Sequence, residues 1–326
     1  MKRVCVLGAG AWGTAVSDLL GSNGYKVNLW CYNPSAVESI VKKHRNEVCF
    51  PDAILSDNIH PETDIEACLS DVEWVFEAIP VKFLRSVLQR AKPYFSNKQA
   101  WVVLSKGIEQ GSLLFPYQMI DDVFCSQVGK AVLSGPSFAK DLMLKQATAV
   151  DIASDNNEIA EELKGIVDNN FFKAHLSNDL IGVSVGGALK NVIAVAMGIL
   201  DGAGYSDNTK AFMITAGLHE MVEFANYLGA KKETLYGLAG IGDLVLTCTG
   251  GASRNLMVGR HLGLGENLNE ILEKTGAIPE GINTIKSVYQ IIQKSNIDLP
   301  IFTSIYGVVF GNQTVESFIN NLQTLR

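Results

Sequence analysis

Arg3-Val4-Cys5-Val6-Leu7-Gly8-Ala9-Gly10-Ala11-Trp12-Gly13-Thr14 sets the reading of this chain. A short apolar run leads into G-x-G-x-x-G, and an amphipathic helical pattern follows from Thr14 to Leu20. The motif is informative because it sits between a strand and a helix. Gly8 permits a tight turn, Gly10 lets a pyrophosphate approach the backbone, and Gly13 lets the helix pack close to the sheet. The helix N-terminus then offers unpaired N–H groups and a positive dipole end to phosphate. A plain strand–turn–helix is the competing reading, and the sequence context favours a dinucleotide.

About 20 residues beyond the motif, an acid would mark NAD and a nearby arginine the 2′-phosphate of NADP. The chain has Trp30-Cys31-Tyr32-Asn33-Pro34 there, with neither. Tyr32 suits stacking on adenine and Asn33 suits a bond to the ribose. Both residues equally suit a strand end and a turn, so NAD and NADP stay open at this point.

Moving outward, apolar runs alternate with helical patterns. Strands are expected at Val4–Leu7, Lys26–Trp30, Trp74–Ile79, Trp101–Leu104 and Val132–Leu133, with helices at Thr14–Leu20, Val37–Lys43 and Phe83–Ala91. Near-continuous apolar strands separated by helices imply a parallel sheet covered on both faces. Beyond about residue 178, long helical patterns dominate: Leu180–Ile199, Lys210–Leu228, Ser253–Leu262 and Ile282–Ile292. Glycine-rich turns separate them, as at Gly237–Gly242. The expected organisation is α/β: a Rossmann-type dinucleotide-binding domain over residues 1–178, then an all-α substrate and catalytic domain over residues 179–326.

Composition agrees with this plan and excludes several classes. A chain of 326 residues accommodates about two domains. The net charge of −7 argues against non-specific nucleic-acid binding, which needs clustered basic surface. The six cysteines form no C-x-x-C pair, and neither they nor the five histidines have metal-ligand spacing, so no metal is expected. Apolar residues near 181–200 are interrupted by Lys190 and Asn191, which reads as a core helix and not a membrane insertion. A strand that begins at Arg3 leaves no room for a signal peptide. The expected location is the cytoplasm.

Four segments carry candidate chemistry. Ser105-Lys106-Gly107 ends an apolar strand, the edge where open α/β sheets bind ligands; a solvated loop lysine is the plainer reading. Ser134-Gly135-Pro136-Ser137-Phe138-Ala139 reads as a turn, with Ser137 able to start a helix. In Gly186-Gly187-Ala188-Leu189-Lys190-Asn191, the lysine lies in a helix with few other charges, and the glycines are expected to leave open space beside the two polar side chains. A buried ammonium is costly unless paired, and desolvation lowers its pKa toward the range of an acid–base catalyst. Asp243 is its expected partner. The competing reading is a lysine reaching from a core helix to solvent. The last segment runs from Gly240-Ile241-Gly242-Asp243 through Thr247 to Gly250-Gly251-Ala252-Ser253-Arg254-Asn255. Ser253 is expected to cap a helix whose first turn carries Arg254, an unfavourable place for a cation unless it helps hold an anion.

Taken together and in this order, Gly8–Gly13 with Thr14, Lys106-Gly107, Ser134–Ala139, Gly186–Asn191, Gly240–Cys248 and Ser253–Asn255 resemble the bacterial NAD(P)-dependent glycerol-3-phosphate dehydrogenases over essentially the whole chain. The resemblance implies a 6-phosphogluconate dehydrogenase-like two-domain fold. It also implies reversible reduction of dihydroxyacetone phosphate to sn-glycerol 3-phosphate for phospholipid synthesis, with NAD or NADP as cofactor, in a homodimer. On the same ground Lys190 is the proton donor and acceptor, and Lys106, Asp243 and Thr247 surround the reacting carbons. Arg254 and Asn255 hold the phosphate, and Gly135, Ser137 and Ser253 complete the substrate site. Gly8, Gly10, Ala11, Trp12, Gly13, Tyr32, Lys106, Ala139, Arg254, Ile278 and Glu280 match positions around the dinucleotide. The chain departs from the family at Tyr32, where arginine is frequent, and at Ala11 and Val81, where serine is common. Two alternatives remain at this stage: a related 3-hydroxyacid dehydrogenase with a carboxylate substrate, and a dinucleotide-binding redox sensor without turnover.

Overall fold

The computed structural model describes residues 2–125, 128–251, 253–276, 278–311 and 313–324. Ala252, within the glycine-rich segment singled out above, lies outside them. In chain order the first elements are β1 (Arg3–Leu7), α1 (Ala11–Ser22), β2 (Lys26–Trp30), α2 (Pro34–Lys43), β3 (Ile59–Glu62), α3 (Ile65–Leu69), β4 (Trp74–Glu77), α4 (Val81–Ala91), β5 (Ala100–Val103), α5 (Pro116–Phe124), β6 (Lys130–Ser134), α6 (Ala139–Met143), β7 (Thr148–Ala153), α7 (Asn157–Val167) and β8 (Phe172–Ser177). The helices that follow are α8 (Leu180–Gly202), α9 (Asp207–Tyr227), α10 (Lys232–Leu235), α11 (Asp243–Thr249), α12 (Arg254–Gly263), α13 (Leu268–Thr275), α14 (Glu280–Lys294), α15 (Pro300–Phe310) and α16 (Val315–Thr324). Two compact units result: Met1–Ser105 with Pro116–Leu180, and Lys106–Phe115 with Ile181–Arg326.

The first unit is built on an eight-stranded sheet of order β3-β2-β1-β4-β5-β6-β7-β8. The sequence order of strands reverses between β1 and β4. The carboxyl end of β1, where the glycine turn begins, therefore lies at a topological switch point, the usual ligand crevice of such sheets. β1 from Val4 onward and all of β4 and β6 are buried, because helices cover both faces. The sheet is not wholly parallel as expected: β6 and β7 run antiparallel, while β7 and β8 are parallel. The β6–β7 connection holds only the five-residue α6, and an antiparallel return needs no long crossover. β3 contains Pro61 and lies at the sheet edge, where a missing N–H is tolerated.

In the second unit α8 is buried nearly all round, from Val183 to Leu200. A helix apolar on every side belongs in a core. By length and composition it suffices to cross a membrane, yet 94% of its most apolar window is buried inside the protein. α12 crosses α8 at backbone contact. A Cβ on Gly198 would lie 2.1 Å from the Leu256 carbonyl oxygen, and one on Gly259 would lie 2.0 Å from that of Val195. This crossing fixes the start of α12, with Arg254 and Asn255, against the helix that carries Lys190 and Asn191. The buried carboxylate of Glu220 on α9 accepts the N–H groups of Ile301 (2.6 Å) and Phe302 (3.0 Å), which caps α15.

Candidate active site

The glycine turn meets the backbone requirements for holding a pyrophosphate. Gly8 has φ +111°, a conformation side chains avoid, and a Cβ there would lie 2.9 Å from the Ala78 carbonyl oxygen. A Cβ on Gly13 would lie 1.9 Å from the Gly8 carbonyl oxygen, so only glycine lets α1 start this close to the turn. Gly10, in contrast, faces open space within 4 Å of where its Cβ would be, and it is exposed. As N-cap of α1 it provides no side-chain hydrogen bond, and the first turn carries no acid. The N–H groups of that turn thus face a space a phosphate can fill, without a competing carboxylate. The residues present fit a dinucleotide.

A residue that the sequence did not single out braces this turn. Asn46, buried in the loop after α2, donates from Nδ2 to the Ala9 carbonyl oxygen and to Thr14 Oγ1, both at 2.9 Å. Glu77, at the carboxyl end of β4, also went unnoticed. It is fully buried and accepts hydrogen bonds from Ser105 Oγ (2.6 Å), Ser105 N (3.3 Å) and Ile79 N (3.3 Å). Burial pushes its carboxyl up to about 8, against the lowering effect of these bonds. One signal was available: a lone acid inside the apolar run Trp74-Val75-Phe76-Glu77-Ala78-Ile79.

Elsewhere in the first unit, Trp12 is half-buried, and Ala11 and Tyr32 are exposed, Tyr32 at 82%. Ser137 does not start a helix, contrary to expectation. Its Oγ donates to the Gly135 carbonyl oxygen at 2.9 Å, Phe138 is the N-cap, and Ala139 opens α6. With Phe138 as N-cap, α6 has no side-chain cap bond.

The second unit gathers two ammonium groups around one carboxylate. Asp243 is 1% exposed. Its Oδ1 lies 2.5 Å from Lys190 Nζ, and its Oδ2 lies 2.7 Å from Lys106 Nζ. Lys190 also donates to Thr247 Oγ1 at 2.8 Å, while Thr247 donates its own hydrogen to the Asp243 carbonyl oxygen at 2.7 Å. Asp243 and Thr247 stand one turn apart on α11, which follows directly on a π-helical turn at Leu238–Gly242. The glycine-rich stretch expected as an open turn is therefore wound into helix. Burial lowers Lys190 to about 8; the Lys106 charge also lowers it, while Asp243 opposes both. Two ammonium groups on one carboxylate leave a net positive charge in a site with little solvent. That arrangement stabilises an oxyanion and supplies it with a proton.

Gly186, one turn before Lys190, acts otherwise than expected. A Cβ on Gly186 would lie 2.3 Å from the Ala239 carbonyl oxygen, so this glycine permits close packing of the π-helical turn on α8 instead of leaving open space. Such packing brings α11, and hence Asp243, against Lys190. Gly187 offers its carbonyl oxygen to Asn191 Nδ2 at 3.3 Å.

Ser253 caps α12, its Oγ accepting from Leu256 N at 3.3 Å. Asn255 is buried: it donates to Asn191 Oδ1 (3.0 Å) and accepts from Gly281 N (2.9 Å). Its amide ties α8 to the start of α14. Arg254, beside it in the first turn, is exposed and makes no hydrogen bond or ion pair among the described residues. Ile278 is 41% exposed, and Glu280 begins α14 with its side chain half-buried. Among the described residues there is no group of three or more His, Cys, Asp or Glu arranged to hold a metal.

Comparisons with known proteins show the family and agree with the fold. Residues 3–160 match the family model described as NAD-dependent glycerol-3-phosphate dehydrogenase N-terminus, and residues 179–320 match that of the C-terminus. A glycerol-3-phosphate dehydrogenase [NAD(P)+] of Bacillus subtilis is 40% identical over 324 residues, which is 99% of this chain and 94% of that protein. The crystal structure of a glycerol-3-phosphate dehydrogenase from Coxiella burnetii superposes with a TM-score of 0.94 at 32% identity, covering 99% of each chain. A yeast glycerol-3-phosphate dehydrogenase, from Saccharomyces cerevisiae, gives 0.85 at 26% identity, again over 99% of each chain. A Rossmann-type sheet and an all-helical C-terminal part, each carrying its expected motifs, thus accompany similarity along the full length, and the chain belongs to the NAD-dependent glycerol-3-phosphate dehydrogenase family.

Proposed function

We propose that this protein catalyses the reversible reduction of dihydroxyacetone phosphate to sn-glycerol 3-phosphate, with Lys190 as the proton donor and acceptor. The observation that carries the assignment of roles is the buried Lys190–Asp243–Lys106 cluster, in a chain of this family. A bound nicotinamide supplies the hydride in reduction and accepts it in the reverse direction. As the carbonyl carbon gains hydride, the C=O π pair moves to oxygen, and Lys190 transfers a proton to that oxygen and becomes neutral. The ammonium of Lys106 stabilises the developing negative charge, and Asp243 holds both lysines in place. Thr247 fixes the direction of Lys190 by accepting one of its hydrogens. In oxidation, neutral Lys190 takes the hydroxyl proton.

Arg254, Asn255 and the N-terminus of α12 take the phosphate, with Ser253 beside them. Arg254 has no hydrogen-bond or ion-pair partner to give up among the described residues, and its unfavourable place in a first turn is offset by an anion. Gly135 and Ser137 complete the substrate contacts. Gly8, Gly10, Ala11, Trp12, Gly13, Tyr32 and Ala139, together with Lys106, Arg254, Ile278 and Glu280, hold the dinucleotide. The product is a building block of phospholipids, and the protein works in the cytoplasm, away from membrane and nucleic acid, as a homodimer. A decisive assay follows oxidation of reduced nicotinamide with dihydroxyacetone phosphate and with a 3-hydroxyacid/3-ketoacid pair. Turnover restricted to the phosphorylated ketone is expected. Turnover restricted to the carboxylate pair overturns the substrate, and nucleotide binding without any turnover overturns the enzyme reading.

A further inference from the structure

We infer that this protein selects NAD(H) over NADP(H), and that the carboxylate of Glu62 beside the exit of β2 is a determinant of that choice. The inference rests on the glycine turn holding a dinucleotide. In this class of sheet the adenosine ribose lies at the carboxyl end of β2, so a 2′-phosphate there places about two negative charges beside that strand end.

The groups around the strand end are not suited to receive them. Residues Trp30 and Glu62 are partners in the β2–β3 ladder, and Cys31 N donates to the Glu62 carbonyl oxygen at 2.7 Å. The Glu62 carboxylate is held close by: Oε1 accepts from Thr63 N (2.7 Å) and Asp64 N (3.1 Å). It is near enough to add to the rise of the Cys31 thiol, which burial chiefly pushes up to about 12. Asp64, next in line, caps α3 through Glu66 N at 3.1 Å. Carboxylates therefore flank the strand exit on the β3 side.

On the α2 side the helix start is already occupied. Pro34 has no N–H, and Ser35 N donates to Asn33 Oδ1 at 3.0 Å. The lysines of α2 lie in its last turn, about 13 Å along the axis from Asn33, and each is paired, Lys42 with Glu38 (2.6 Å) and Lys43 with Glu47 (2.7 Å). Arg45 donates to the Pro51 carbonyl oxygen at 3.1 Å. Arg90 is placed over the Trp30 ring at 5.2 Å. At the strand end itself stands Tyr32, 82% exposed and uncharged. A ribose 2′-hydroxyl is neutral and tolerates these surroundings, whereas a 2′-phosphate is repelled by the Glu62 carboxylate held beside the strand exit.

The test is a pair of fluorescence titrations of the full-length protein with NADH and with NADPH at near-physiological salt. The expected result is a Kd for NADH at least about tenfold below that for NADPH. Glu62→Gln keeps the acceptor for Thr63 and Asp64 but removes the charge, so it tightens NADPH severalfold and leaves NADH unchanged. Tyr32→Arg, at an exposed position, narrows the gap between the two nucleotides further. Equal or tighter binding of NADPH by the unaltered protein overturns the inference. So does an equal effect of Glu62→Gln on both nucleotides, or a loss of NADPH affinity specific to Arg90→Ala. Failure of both nucleotides to bind instead removes the dinucleotide reading beneath it.

Discussion

Lys190 Nζ stands 2.5 Å from Asp243 Oδ1, and both side chains are almost wholly withdrawn from solvent. The pair is not isolated, because Asp243 gives its second oxygen to Lys106. Removing Asp243 would leave two neighbouring ammonium groups uncompensated in a buried site. Asp243→Asn should therefore lower kcat by about two orders of magnitude, while Lys190→Ala should lower it by about 10²–10⁴. In Lys190→Ala the NADH affinity, read by fluorescence titration, should stay within about twofold of the unaltered protein's. A Lys190→Ala variant with near-normal kcat would reject the assignment of the proton donor.

The pH dependence follows from the position of Lys190 at about 8. Reduction needs the ammonium, so its kcat/KM should fall as pH rises through that value. Oxidation needs the neutral amine, so its kcat/KM should rise through the same value. Steady-state profiles measured in both directions provide the check. Parallel profiles, with the same sign in each direction, would contradict a proton exchanged by one group.

Arg254 tests the phosphate site. Loss of a charge-assisted contact costs about 1.5–3 kcal/mol, so Arg254→Ala should raise the KM for dihydroxyacetone phosphate by roughly tenfold to a hundredfold. The exposed side chain makes no hydrogen bond or ion pair among the described residues, and the melting temperature should not move. An unchanged KM would show that the phosphate is held elsewhere.

Gly13 should not tolerate even a methyl group. With a Cβ 1.9 Å from the Gly8 carbonyl oxygen, Gly13→Ala must push α1 away from the turn. The expected outcome is a lower melting temperature together with loss of NADH binding. Gly10→Ala, where the backbone meets no steric bar from the protein, should leave the melting temperature unchanged and weaken NADH alone. Equal destabilisation by both variants would contradict the different roles given to these glycines.

Glu77 predicts a pH effect on stability. Burial holds its carboxyl near 8 in the folded protein, against 4.5 for an ordinary glutamate. Between those values the unfolded chain has released a proton that the folded chain retains, so stability falls as pH rises from about 4.5 to about 8. Glu220, raised to about 7 by burial, adds to the same slope over the lower part of the window. Glu77→Gln has no proton to lose and should flatten the fall in melting temperature across that range. An identical slope in the variant would show that Glu77 is not the titrating group.

Local pattern made much of the fold legible. β2 was expected and found at Lys26–Trp30, because a buried central strand is a bounded apolar run. The strands that escaped notice break that pattern. β3 carries His60 and Pro61 at the edge, and β8 alternates buried and exposed residues because it is an edge strand. β7 contains Asp151 within its apolar run. The antiparallel turn between β6 and β7 left no periodic trace, since strand direction is settled by how a connection returns and not by the strand's own residues.

What the sequence determined by itself was a set of local constraints: a turn only glycine can make, helices with a 3.6-residue period, and a lysine in a helix too apolar to leave it unpaired. These follow from backbone sterics and hydration, which act within a few residues. The grouping of Lys106 with Asp243 and Lys190 across 137 and 53 residues, the brace from Asn46 to Ala9, and the protonated Glu77 beneath Ser105 were decided by tertiary packing. Electrostatic character depends on what burial brings within a few ångströms, and a linear chain does not encode that distance in any one segment.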